Sequence, residues 1–229
     1  MKWLLLLVAV TATPAYSQAR SGLEFSSGEV RALQENDAEN PGMLWVDRGA
    51  QFFARHCASC HEEAAMTGVA ARYPRAAGGR VVTLETKIRE KLPRLEYESD
   101  ELLALTTFVA HKSRGVPVWP HWDSKALDRG RAAYEQRRGQ VNLACGHCHE
   151  ANAGKQLGPE TLSQGQSNGY PAYRLEWQKL GSLQRRLRAC LFGVRAELPD
   201  YGSQELLDLE LYLAWRGRGL PVEAPAVRR

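Results

Sequence analysis

Two stretches of this chain carry the same reactive pattern. They are Cys57-Ala58-Ser59-Cys60-His61 and Cys145-Gly146-His147-Cys148-His149, and they use four of the five cysteines. Two thiols separated by two residues, with an imidazole directly after, is the pattern that attaches c-type haem. The thiols bond to the porphyrin vinyl groups and the histidine ligates the iron. A redox dithiol or part of a zinc site would use similar residues. Zinc, however, needs a second ligand pair at suitable spacing, and each motif here brings only its own histidine. The pattern therefore predicts two covalently bound haem c groups, on Cys57 and Cys60 and on Cys145 and Cys148, with His61 and His149 as proximal iron ligands.

The fifth cysteine, Cys190, has no partner left for a disulfide. It is a candidate iron ligand, nucleophile or sulfur carrier, against the plainer reading of a buried apolar thiol. Arg185, Arg186 and Arg188 precede it and Arg195 follows. On a helix, Arg186 and Cys190 are four apart and share a face. Nearby cations favour the thiolate, which is both the nucleophile and the iron-binding form. The functional reading is preferred for that reason.

The elements that must hold these residues are duplicated. Asp47-Arg48-Gly49 precedes the first motif and Asp128-Arg129-Gly130 the second. Glu101–Ala110 matches Glu205–Ala214, and both copies run on to a similar ending, Arg114-Gly115-Val116-Pro117-Val118 and Arg218-Gly219-Leu220-Pro221-Val222. Leu102, Leu105, Phe108 and Val109, like Leu206, Leu209, Tyr212 and Leu213, recur at helical spacing. Ser99 or Asp100, and Ser203, suit the N-caps, while Gly115 and Gly219 suit the stops. Each half reads as helix, haem motif, loop, helix, final helix, the cytochrome c arrangement. Strand signals are scarce, so the expected fold is all-α, two tandem cytochrome c-like domains related by duplication. The boundaries are a signal peptide at 1–17, an N-terminal extension at 18–42 that wraps the surface, a first domain at 43–120 and a second at 121–229. Residues 117–121 read as the linker.

Just before the final helices, Thr83–Leu92 aligns without a gap on Ser182–Leu191, which sets Lys91 against Cys190. If the halves fold alike, Cys190 is the distal ligand of the second haem and Lys91 of the first. An exposed surface lysine is the alternative, since ligation needs a neutral amine. His111 and Met66 compete for the same role. His56 and His147 lie beside or inside the motifs and read as exposed or supporting, and His121 falls in the linker.

Bulk properties narrow the class. A formal net charge of +4 over 229 residues is too small to indicate nucleic-acid binding, although the arginine cluster suits a small anion. Lys2, the apolar run Trp3–Val10 and Ala15-Tyr16-Ser17 form a secretory signal with a cleavage site. An uncleaved anchor is the alternative, but the run is too short to span a bilayer. Export to the periplasm agrees with covalent haem attachment, and no second apolar span follows.

The second half resembles the SoxA family of the bacterial sulfur-oxidation system. The matching stretches are Gly139–His149, Gly169–Gln178, Arg185–Cys190, Val194–Glu197, Leu209–Trp215 and Pro225–Arg228, with Tyr97–Thr106 in the first half resembling the diheme members. The resemblance implies an L-cysteine S-thiosulfotransferase. Such a subunit pairs with a SoxX-type cytochrome c as a heterodimer. It joins thiosulfate oxidatively to a cysteine of the SoxYZ carrier and passes electrons to cytochrome c. It further implies that the active haem is the one on Cys145, Cys148 and His149, with Cys190 as distal ligand, in the family often a persulfide, and Arg186 as the active-site arginine. The chain departs from diheme members at Lys91, where those place a second cysteine. A tetrathionate-forming thiosulfate dehydrogenase and a plain diheme electron carrier are the competing readings, and the carrier leaves Arg186 and Cys190 unexplained.

Overall fold

A computed structural model describes residues 18–229, and the expected signal segment lies outside the described residues. In chain order the elements are α1 (Gly28–Glu35), α2 (Met43–His56), β1 (Arg75–Ala77), β2 (Arg80–Val82), α3 (Leu84–Lys91), α4 (Asp100–His111), α5 (Ser124–Glu135) and α6 (Cys145–His149). They continue as β3 (Gln156–Leu157), β4 (Glu160–Thr161), β5 (Ala172–Arg174), β6 (Lys179–Gly181), α7 (Leu183–Gly193), α8 (Gln204–Arg216) and β7 (Ala226–Arg228). The fold is mostly helical, but the all-α expectation needs correction. Among the described residues, β1–β2 and β3–β4 form hairpins, and β6-β5-β7 form a three-stranded sheet in which β7 runs parallel to β5. Runs of two or three residues are too short to show alternation in a sequence.

The repeated glycines mark where helices cross. In the first half α2 packs on α4, and in the second α5 packs on α8. A Cβ on Gly49 would lie 2.1 Å from the Ala104 carbonyl oxygen, and one on Gly130 would lie 2.2 Å from that of Asp208. Only hydrogen fits between the backbones at either crossing. Beside the second crossing, Arg129 forms a two-pronged ion pair with buried Asp208, at 2.7 and 2.8 Å, and also donates to the Gly79 carbonyl at 2.6 Å.

Ser99 and Ser203 cap α4 and α8 by accepting from the backbone of Leu102 and Leu206. Both helices are buried on more faces than their apolar stripe indicates, because each half lends its hairpin to the other. Leu103 and Ala104 of α4 pack with Tyr173 and Leu180 of the second half, while Leu207 and Leu211 of α8 pack with Ala76 and Val81 of the first. Burying a leucine side chain stabilises by about 1.5–3 kcal/mol, and Leu102, Leu103, Leu206 and Leu211 are all fully buried.

The Pro-Val endings meet across the same axis. Val118 N donates to Leu220 O at 2.8 Å and Val222 N to Val116 O at 3.0 Å. Gly115 N donates to Val222 O and Gly219 N to Val118 O, each at 2.9 Å. Every bond has its repeat-equivalent, so an internal pseudo-two-fold axis runs between Pro117 and Pro221. Residues 117–121 are therefore packed backbone between the halves, with Val118 and Pro120 buried, rather than a free connection. The N-terminal extension does more than wrap the surface. Gln34 Oε1 accepts from Val227 N at 3.0 Å, and Asn40 Nδ2 donates to Pro225 O at 3.0 Å, tying the start of the chain to its last strand.

Candidate haem and sulfur site

The second motif sits on the single turn of α6. His149 Nδ1 lies 2.8 Å from the Ser163 carbonyl oxygen, so this nitrogen is the donor and Nε2 is left free to bind a metal. Gly165, at φ +70°, packs so closely on the imidazole that a Cβ there would lie 2.8 Å from His149 Cγ. Ring orientation and tautomer are thus both set by the loop at 163–165. This fits the residues to haem c, with a fixed imidazole from one side and two thiols on the same turn.

Cys190 comes close to the same imidazole. It lies on α7, which Ser182 caps, and its side chain is half-buried and within hydrogen-bond reach of His149. Burial raises the Cys190 thiol, but Arg186, the hydrogen bond and charge of His149, and Arg174 outweigh it and hold it at about 7. Burial chiefly, and then the charge of Cys190, push Cys145 up to about 11. A thiol kept low beside an imidazole with a free nitrogen is a pair of donors that could hold the iron of a haem c attached at Cys145 and Cys148.

Of the four arginines around Cys190 in sequence, only Arg186 is turned to it. Arg185 stacks on Trp177 at 4.4 Å and reaches Glu98 at 3.7 Å. Arg188 covers Tyr201 and donates to the Pro199 carbonyl, and Arg195 is exposed. The second cation is Arg174 of β5, which sequence reasoning missed because it lies sixteen residues before Cys190 (174 to 190). It is only 5% exposed and pairs with Glu160 at 3.1 Å and Glu176 at 2.7 Å. Arg186 meets the same carboxylates only at 3.8 and 3.9 Å, so its own donors remain available to an anion.

The first motif makes a similar turn, with Cys60 N and His61 N both donating to Cys57 O at 3.0 and 2.9 Å. Thr83 caps α3 as Ser182 caps α7, and Lys91 and Cys190 each stand eight residues after the cap (83 to 91, 182 to 190). Lys91 is exposed at the last residue of α3, whereas α7 continues past Cys190. His111 turns toward the Ala224 backbone and Asp37, while Met66 packs on the Phe53–Val109 cluster beside Cys57.

Comparisons with known proteins give the family of this chain. The family model of the SoxA/TsdA cytochrome c domain matches twice, at residues 45–118 and 129–222. The L-cysteine S-thiosulfotransferase subunit SoxA of Pseudaminobacter salicylatoxidans is 37% identical over 93% of this chain and 82% of its own length. The chain belongs to the SoxA family. The SoxA subunit of Rhodovulum sulfidophilum is 35% identical over 97% of the chain and 86% of its own length. The crystal structure of SoxXA from P. pantotrophus superposes with a TM-score of 0.88 at 33% identity, covering 92% of this chain and 87% of that one. A cytochrome c domain implies haem c. No helix among the described residues is long and apolar enough to cross a membrane.

Proposed function

We propose that this chain is the sulfur-handling subunit of a periplasmic L-cysteine S-thiosulfotransferase, paired with a SoxX-type cytochrome. The reaction joins the outer sulfur of thiosulfate to the cysteine sulfur of a SoxYZ-type carrier. One S–S bond forms, the thiol proton is lost, and two electrons pass to a cytochrome c acceptor. The observation that carries this reading is the convergence on Cys190 of Arg186, Arg174 and the oriented His149. Arg186 presents a planar set of donors to the thiosulfate dianion. Cys190, as thiolate or persulfide, offers the sulfur through which the exchange runs. Ser163 and Gly165 hold His149 in place. Haem c held by Cys145, Cys148, His149 and Cys190 would supply one-electron acceptance at this point.

The first half carries a second haem c on Cys57, Cys60 and His61, with Lys91 as the distal ligand by its equivalence to Cys190. Lys91→Ala is expected to shift the low-temperature electron paramagnetic resonance signal of the first haem and leave that of the second unchanged. An unaltered first signal in Lys91→Ala, with an altered one in Met66→Leu, would transfer the role to Met66.

The reaction itself is tested with the chain and its SoxX-type partner, thiosulfate, the carrier and ferric cytochrome c. The expected product is a carrier heavier by one thiosulfate-derived group, with two cytochrome c molecules reduced per conjugate. Tetrathionate formed equally fast without the carrier would identify a thiosulfate dehydrogenase instead.

A further inference from the structure

Between the halves, on the internal pseudo-two-fold axis, lies a cavity of about 100 Å³. Its wall is built from repeat-equivalent pairs, among them Tyr73 with Tyr170, Leu84 with Leu183 and Val118 with Val222. Two positions break the symmetry. Glu85 stands where the other half has Gln184, and Glu210 stands where the other half has Thr106. Both glutamates line the cavity. Gln184 is held by Gly202 N, which donates to its Oε1 at 2.7 Å, and it donates in turn to Glu210 Oε1 at 2.6 Å.

Two further polar groups face the same space without a protein partner. Thr106 Oγ1 and Asn168 Oδ1 belong to residues only 4% and 5% exposed, and both residues line the cavity. Asn168 Nδ2 is spent on the Pro221 carbonyl at 2.9 Å, so its oxygen is the end left over. A cavity of this size has room for several waters at about 30 Å³ each, and the polar groups on its otherwise apolar wall give them partners. Orphaned acceptors and hydroxyls on its wall are the groups such waters satisfy.

We propose that this cavity is a redox-linked proton site, in which Glu85 and Glu210 bind a proton when the haem c groups of the two halves are reduced and release it when they are oxidised. It rests on both motifs carrying haem but not on the thiosulfate reading. Reduction adds one negative charge to a haem site. In a weakly polarisable interior, that charge raises the cost of a nearby carboxylate. A proton taken from the cavity water converts carboxylate to carboxylic acid and offsets it. The cavity is placed for this, since Thr83, Leu84 and Glu85 start α3, Leu183 starts α7, and these two helices carry Lys91 and Cys190. Tyr170 lines the same wall and lies close to Arg186, which places the cavity beside the sulfur site.

The surrounding charges leave the pair able to exchange a proton. Burial raises Glu85 well above the usual carboxylate range, helped by Glu210 and Glu98 and opposed by Arg89. Burial raises Glu210 to about 7, opposed by Gln184. From the other packed elements, α4 presents Thr106 and Ala110, α7 presents Leu183, and the preceding loops present Tyr73 and Tyr170, while Glu98 is engaged by Arg185. Tyr97 and Tyr201 stack on the axis at 6.1 Å, with Arg89 and Arg188 over their outer faces.

The test is a spectroelectrochemical titration of both haems in the intact holoprotein across about pH 6–8. Because the reduced form holds the proton more tightly, the midpoint potential is expected to fall as pH rises through neutrality. Glu210→Gln and Glu85→Gln, which preserve shape, are expected to flatten that slope with haem spectra unchanged. An undiminished slope in both variants would overturn the proposal. Redox-difference infrared spectra of the wild-type protein give an answer even if a variant does not load haem. A carboxylic acid band that grows on reduction is expected, and its absence would also overturn the proposal.

Discussion

Cys190→Ala, in the complex with both haems attached, is expected to lower thiosulfate conjugation by at least about 10³-fold, the scale seen when a reacting nucleophile is removed. Haem content should be unchanged, because the covalent anchors are Cys145 and Cys148, more than forty residues upstream (148 to 190). The spectrum of the second haem should change and that of the first should not. Full turnover in this variant would end the catalytic reading of Cys190. Arg186→Gln separates the two roles of the site. Its loss removes charge-assisted donors from the anion and is expected to cost roughly 10²–10³ in kcat/KM. Arg186→Lys should recover little, because an ammonium cannot reproduce the planar pair of donors. The same arginine holds the Cys190 thiol down to about 7 against burial. A depressed thiol gives a contribution present above its pKa and lost as pH falls through it. Arg186→Gln is therefore expected to move the low-pH decline of conjugation upward.

Gly130→Ala is expected to be among the most destabilising single changes in the chain. Its Cβ would lie 2.2 Å from the Asp208 carbonyl oxygen and 2.8 Å from Tyr212 Cβ, so α5 and α8 must separate. Overpacking of this kind costs roughly 3 kcal/mol or more, which for a chain of this length lowers Tm by roughly 6–12 °C. Because α5 leads directly to Cys145, the variant should also show a lower ratio of haem to protein at the second motif. Gly49→Ala should act equivalently on α2 and the first motif, where the carbonyl is that of Ala104. Gly28→Ala, whose added methyl would meet nothing within 4 Å, is the control and should change stability by less than about 1 kcal/mol. Equal melting of all three variants would show that the crossings are not the close contacts described.

Much of the site was legible because it is local. A haem attachment motif is five consecutive residues, and the caps Ser99 and Ser203 lie within one turn of the helices they start. The gapless alignment of Thr83–Leu92 with Ser182–Leu191 paired Lys91 with Cys190, and α3 and α7 prove to start on equivalent caps, Thr83 and Ser182. The repeated Asp-Arg-Gly triplets were visible too, yet nothing in one dimension shows that their glycines lie against Ala104 and Asp208. Sequence proximity also overstated the arginine cluster. Each residue along a helix turns about 100°, so Arg185 and Arg188 leave for Trp177 and Tyr201 while Arg186 alone faces Cys190.

What the amino-acid sequence carried by itself was the pair of attachment motifs, the duplication, the helices and the case for Cys190. These follow from covalent spacing and from hydrogen bonds closed within a few residues. The tertiary structure alone decided which groups surround that thiol and how the halves fit. Arg174 acts on the charge of Cys190, and Glu160 pairs with Arg174, because β5 lies between β6 and a strand that returns from the far end of the chain. Residues 115–118 pair with 219–222 because the duplication closes on itself around a two-fold axis. Glu85 and Glu210, on separate halves, line one cavity only because the halves close on each other across that axis. Contacts of this kind depend on long-range closure and on desolvation, and neither leaves a period or a spacing to read in the sequence.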